Sequence, residues 1–104
     1  MTTSMNFERN LGLNKGKRRL WLEGAVLLEN GIEHGMRWNI ISNGDNHIIV
    51  EIDTNGKRKI AGKAARPIID IAGKTITDAF ADTIERVKIE RLSNRRGIVI
   101  TGIK

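Results

Sequence analysis

The chain is expected to fold as a mainly β domain with two short helices, built from two related halves around one core. Three observations lead there. Apolar residues recur at every second position, at Met36, Trp38 and Ile40 and again at Ile48, Val50 and Ile52, the period-two pattern of half-buried strands. Two turn-forming tetrapeptides, Asn43-Gly44-Asp45-Asn46 and Asp53-Thr54-Asn55-Gly56, punctuate these runs. The order strand, glycine, brief helix, strand, turn, strand also occurs twice in the 104 residues.

Taken in order, residues 1–16 show no sustained periodicity and contain Asn10, Gly12, Asn14 and Gly16, so they are expected to form a flexible arm. Residues 17–104 form one domain, with halves of about 17–56 and 57–104. Leu20 to Leu22 is a short apolar strand ending at Gly24. Ala25 to Asn30 is a brief helix with Val26, Leu27 and Leu28 turned inward, stopped by Gly31. The strand from Met36 to Ser42 returns through Ile48, Val50 and Ile52. After the Asn55-Gly56 turn, Lys57 to Ile60 should pair back on Glu51 to Asp53.

The second half repeats this order: a strand over Ile68 to Ile71, a helix over Thr75 to Ala81, and a strand carrying Val87, Ile89 and Arg91. After a loop over Leu92 to Gly97, the return strand runs over Ile98 to Ile103. A shift of 49 positions sets Leu22 on Ile71, Gly24 on Gly73, Leu27 on Ile76 and Trp38 on Val87. One extra residue in the second loop then sets Ile48 on Ile98 and Val50 on Ile100. Physical necessity supports the repeat, because one half buries too little apolar area to offset the entropy of ordering it. The expected core is Leu22, Leu27, Trp38, Ile40, Ile48, Val50, Ile71, Ile76, Phe80, Val87, Ile89, Ile98 and Ile100. Trp21 is also assigned to it, as one of only four aromatic residues.

Charge is distributed unevenly. The chain carries 18 Lys and Arg against 12 Asp and Glu. Residues 1–53 hold six bases and seven acids, whereas residues 54–104 hold twelve and five. Such a basic balance suits a polyanion partner, nucleic acid first. With no cysteine, disulfides, thiolate catalysis and Cys-ligated zinc are excluded. No apolar run approaches the roughly 20 residues of a membrane span. The polar N-terminal stretch carries its positive charge at its end, the reverse of a secretory signal, so a cytoplasmic location is expected.

The stretch Leu20-Trp21-Leu22, Gly24, Leu27, Gly31, Gly35 and the strands around Ile40 and Ile48 resembles the AbrB/SpoVT-like swapped-hairpin superfamily, in particular its SymE-like branch. The resemblance covers residues 18–53 well and residues 66–103 weakly. It departs from the family at the first strand, where a Thr-Ile-Pro run is common and this chain has no proline; Pro67 precedes the second strand instead. The resemblance implies an interleaved, β-barrel-like body with a pseudo-two-fold, completed here within one chain. It also implies DNA binding by basic residues beside the first strand and its helix.

Catalytic signatures are sparse. Gly73-Lys74-Thr75 lacks the glycine five positions earlier that a phosphate-binding loop needs, since residue 68 is Ile. His34 and His47 are expected in exposed loops without metal-ligand spacing. Glu51 and Asp53 are two apart on one strand face and are best explained as solvated. No enzyme activity, metal or cofactor is therefore expected. The expected nucleic-acid-binding residues are Lys15 on the arm, Lys17, Arg18 and Arg19 before the first strand, and Arg37 beside them. Arg58, Lys59, Lys63 and Arg66 lead into the second equivalent strand. The basic residues Arg91, Arg95 and Arg96 form a further group.

The function expected from this pattern is a small DNA-binding regulator, suited in size to a phage or mobile element, with duplex DNA as partner. The alternatives are an inhibitor that binds a host enzyme or defence protein and, third, a SymE-like toxin acting on RNA. The chain is expected to be a monomer or a homodimer, the latter through free edges at Lys57 to Ile60 or Ile98 to Ile103.

Overall fold

The computed structural model describes residues 6–92 and 96–104. Arg95, the rest of the loop at 93–95 and the first five residues of the expected arm lie outside the described residues. The described chain is mainly β. In order, the elements are β1 (Asn6–Asn10), β2 (Gly12–Asn14), β3 (Lys17–Glu23), α1 (Ala25–Leu28), β4 (Arg37–Gly44) and β5 (His47–Ile52). They continue as β6 (Arg58–Lys59), β7 (Ala61–Lys63), β8 (Arg66–Ala72), α2 (Lys74–Ala79), β9 (Arg86–Arg91) and β10 (Gly97–Ile103). They form two antiparallel sheets, one ordered β1-β9-β10-β5-β4-β6 and the other β2-β3-β8-β7. The inner faces of both sheets contribute to a single buried cluster. The closed barrel expected from the resemblance is not seen: each sheet has two outer strands, and the chain crosses between sheets at Leu11 and Ile60.

The strand pairings repeat. Leu20 faces Ile71 and Leu22 faces Ile69, two pairs that exchange when every residue is shifted by 49. Ile48 faces Ile100 and Val50 faces Ile98, which exchange at a shift of 50. β6 lies against β4 with Arg58 opposite Trp38, as β1 lies against β9 with Arg9 opposite Val87. β7 lies against β8 with Ala61 opposite Ile68, as β2 lies against β3 with Gly12 opposite Arg19. Both crossover residues donate backbone hydrogen bonds in matching places, Leu11 to Glu85 and Ile60 to Met36, each at 2.8 Å.

This arrangement corrects the expectation of an arm. Asn6–Asn10 and Gly12–Asn14 are strands, the counterparts of residues in β6 and β7. Only Phe7 of β1 packs partly against the core, so hydrogen bonding to β9, not burial, defines the strand. Apolar periodicity cannot register such an edge strand. Lys15 is held in a two-residue hairpin turn between β2 and β3, at φ 54, with Gly16 at φ 79.

The expected pairing of Lys57 to Ile60 with Glu51 to Asp53 is also corrected. β5 is flanked on both sides, by β4 and β10, so β6 takes the outer edge of β4. The Asp53–Gly56 turn does form: Asp53 accepts from the Asn55 amide through its carboxylate, at 2.9 Å, and from the Gly56 amide through its carbonyl, at 2.8 Å. Asp53 thus serves the turn and stands beyond the end of β5, not on a strand face with Glu51. Ile98 to Ile103 is no free edge either, since β10 lies between β9 and β5.

Of the fourteen expected core residues, Ile40 is only partly buried and Trp21 is exposed. A bulge between Ile40 and Ser42 breaks the alternation of β4 and leaves Ile41 47% exposed. The helices are shorter than expected. In α1 only Leu27 is buried, Val26 is partly covered and Leu28 is exposed, because a single turn can bury only one narrow stripe. Leu20, Ile32, Ile60, Ile69, Ala79 and Ile84 complete the core. The β4–β5 hairpin turns through Asp45 and Asn46, at φ 48 and 69, a conformation these two side chains tolerate. His47 accordingly begins β5 instead of lying in a loop, with its Nε2 2.8 Å from the Ser42 hydroxyl.

Both helices begin at a glycine in a conformation closed to other residues. Gly24 has φ 80 and ψ −139, and Gly73 has φ 69 and ψ −129. Space is not the reason, because an added methyl would meet nothing within 4 Å at either position. Gly24→Ala and Gly73→Ala should therefore each cost about 1–3 kcal/mol through backbone strain alone. Urea unfolding would check this, and a loss of only a few tenths would contradict it.

Candidate nucleic-acid interface

Alternation along β3 and β8 distributes their side chains between two environments. Leu20 and Leu22 on β3, and Pro67, Ile69 and Ile71 on β8, point into the core. Lys17, Arg19, Trp21 and Glu23, with Arg66, Ile68, Asp70 and Ala72, therefore form the outer face. On β7, Lys63 lies opposite Arg66 and joins that face. Four of the nine expected binding residues, Lys17, Arg19, Lys63 and Arg66, thus share one surface. Lys15 stands at its rim, in the β2–β3 turn.

Arg18 is corrected. It points to the inner side of β3, with its side chain 18% exposed, and it donates to three backbone carbonyls. Nη1 reaches Ala81 at 2.8 Å and Ile84 at 3.2 Å, while Nη2 reaches Phe80 at 2.9 Å. These carbonyls belong to the segment leaving α2, beyond the helical ladder; of the three, Ala81 also accepts from the Ile84 amide at 3.0 Å. Arg18 is a structural clamp on that segment, and its donors are not free for phosphate.

Trp21 is corrected as well. It is 40% exposed, because Leu20 and Leu22 take the inward positions of β3 and leave it the outward one. Trp38, by contrast, is buried. The Arg19 guanidinium lies 4.3 Å from the centre of the Trp21 ring, within cation–π range. It also makes a two-pronged bond to Asp70, Nε to Oδ1 at 2.9 Å and Nη2 to Oδ2 at 2.8 Å. Asp70 sits directly across from Trp21 in the β3–β8 register, so Arg19 reaches it on the diagonal. The Asp70 hydrogen bond and its negative charge raise the Arg19 pKa above the ordinary arginine value.

Beside Trp21 lies an open groove of about 570 Å³, with Gly62, Ala65 and Ile68 as its apolar lining and Lys63, Arg66 and Glu23 as its charged rim. Arg66 is 3.9 Å from Glu23, a loose, exposed ion pair. Lys17 and Lys63 make no ion pair among the described residues. Four cations against two carboxylates, one of them engaged by Arg19, leave this face positive.

The remaining expected residues stand on the other sheet. Arg37 and Lys59 are paired across β4 and β6, as are Trp38 and Arg58. Arg37 donates to the Gly56 carbonyl at 3.3 Å, and the Arg58 guanidinium lies 5.2 Å from the Trp38 ring centre. Arg37 and Lys59 share one face of this sheet edge and Arg58 takes the other, with Trp38, and all three are separate in topology from the face around Trp21. The expected single basic strip over Arg58, Lys59, Lys63 and Arg66 is therefore divided at Ile60, where the chain changes sheets. No helix among the described residues is long and apolar enough to cross a membrane.

Comparison with protein-family models, with curated proteins and with solved structures finds no match for this chain.

Proposed function

We propose that this chain is a small DNA-binding protein of regulatory type, contacting the duplex backbone through the outer face of its four-stranded sheet. The observation that carries the proposal is the gathering of Lys17, Lys63 and Arg66 on one exposed face, with Lys15 at its rim. The shift-of-49 pairing supports an origin by duplication of an AbrB-like hairpin unit, the family the first half resembles. Lys17 and Arg66 are equivalent under that shift and stand toward opposite ends of the β3–β8 ribbon. In register they are about eight residues apart, which corresponds to roughly 26 Å at the rise of a strand. Two separated cationic ends suit a polymer whose phosphates repeat along its length better than they suit a small anion. Regulation of a phage or mobile element remains the role that the size and charge fit.

The proposal predicts a steep salt dependence for binding to random-sequence duplex. Each phosphate contact contributes about 0.9 to the slope of log K against log salt. Changing Lys17, Lys63 and Arg66 together to Ala should flatten the slope by roughly two to three and leave the unfolding midpoint nearly unchanged, since exposed charges contribute little to stability. Fluorescence anisotropy with labelled duplex at several salt concentrations would measure it. A parent protein that binds neither duplex nor single-stranded DNA at low salt would replace this function with the protein-directed one, inhibition of a host enzyme.

A further inference from the structure

We infer that the groove beside Trp21 receives an unpaired nucleobase, stacked on the indole, while Lys63 and Arg66 hold the flanking phosphates. The inference rests on the nucleic-acid function proposed above and names the part of the polymer that this face reads. An indole left 40% exposed on a strand is an apolar surface that water solvates poorly. Here the ring is also held in place. Arg19 lies against one face, and Arg19 is itself fixed by its two bonds to Asp70. A ring already immobilised loses little entropy when a flat partner stacks on it.

The groove provides what a nucleotide needs around such a ring. Gly62, Ala65 and Ile68 supply an apolar lining, and Lys63 and Arg66 stand opposite each other at one side. The Glu23 carboxylate, also at the rim, repels phosphate from the ring itself and can accept from an exocyclic amino group. Base and phosphate are thereby directed to different parts of the same groove. Bases within a duplex are stacked on one another and cannot enter a groove on the face of a sheet, so the ligand is a single-stranded stretch or a flipped-out base.

The two tryptophans make the test direct, because Trp38 is buried and only Trp21 can meet a base. The full chain would be titrated with a short oligothymidylate, with an abasic oligonucleotide of the same length, and with a duplex. The emission belonging to Trp21 is obtained by difference from Trp21→Phe. Quenching of that emission by oligothymidylate but not by the abasic strand is expected. Trp21→Ala should weaken oligothymidylate binding roughly ten-fold and leave abasic binding and its salt slope unchanged, while Trp21→Phe, which keeps a ring, should retain most of the affinity. Equal affinity of Trp21→Ala and parent for oligothymidylate, or equal binding of abasic and base-bearing strands, would overturn the inference and leave the cationic face intact. Failure to bind any of the three polymers at low salt would overturn both.

Discussion

Ile71→Ala is expected to destabilise the protein by about 2–5 kcal/mol. Ile71 is fully buried in β8, facing Leu20 across the central β3–β8 pair. Removing three carbons there costs the transfer free energy of the lost surface and leaves a void between strands that cannot close without disturbing both sheets. Small domains are stable by only about 5–15 kcal/mol in total, so the loss would be a large share. Urea unfolding should show a lower midpoint with an unchanged slope. Ile41→Ala, at a position 47% exposed in the bulge of β4, is the matched control and should stay within about 0.5 kcal/mol of the parent. Similar losses at both positions would mean that the core is misassigned.

Arg18→Ala should cost about 1.5–3 kcal/mol, the range for hydrogen bonds to a charged group. The variant would leave the carbonyls of Phe80 and Ile84 without the Arg18 donor, while Ala81 keeps its bond from the Ile84 amide. Arg18→Lys discriminates between this clamp and a phosphate contact. An ammonium keeps the charge but cannot span three carbonyls as a planar fork does, so the Lys variant should lose most of the same stability while keeping most of the salt slope for DNA. Thermal unfolding and the binding assay, run on the same three proteins, would separate the roles. A Lys variant as stable as the parent would refute the clamp. A double change of Arg18 and Arg19 to Ala would therefore mix loss of the clamp with any loss of DNA contact. Lys17, Lys63 and Arg66 are the cleaner choice.

Much of the fold can be read without coordinates. Hairpin residues such as Trp38, Ile48, Val50, Ile98 and Ile100 sit in short apolar runs bounded by turn residues, which mark them as strands. The glycines at 24 and 73 mark where each helix begins. Residues 6–14 could not be read in the same way, because their place depends on backbone hydrogen bonds to β9 and β3 and not on an apolar pattern. The destination of Lys57 to Ile60 depends on which edge is vacant, and the neighbour on the far side of β5 is a strand some fifty residues later in the chain.

The binding face shows the same division at the level of single residues. Composition and spacing were enough to single out the cluster Lys17, Arg18, Arg19 as basic residues entering a short strand, and Trp21 as an aromatic residue beside it. In RRLWL every position after the arginines is apolar, so the pattern by itself does not tell which of Leu20, Trp21 and Leu22 faces the core. Pairing β3 with β8 settles the phase. Once Leu20 and Leu22 are inward, Lys17, Arg19 and Trp21 must be outward and Arg18 inward, where it meets the carbonyls beyond α2. The central hairpin strands, the repeated order and the positive charge follow from local preference and composition and are legible in the residues alone. Which basic residue is a clamp and which tryptophan is exposed depends on strand pairing, since a shift of one residue on a strand exchanges its two faces and the partner strands select between them.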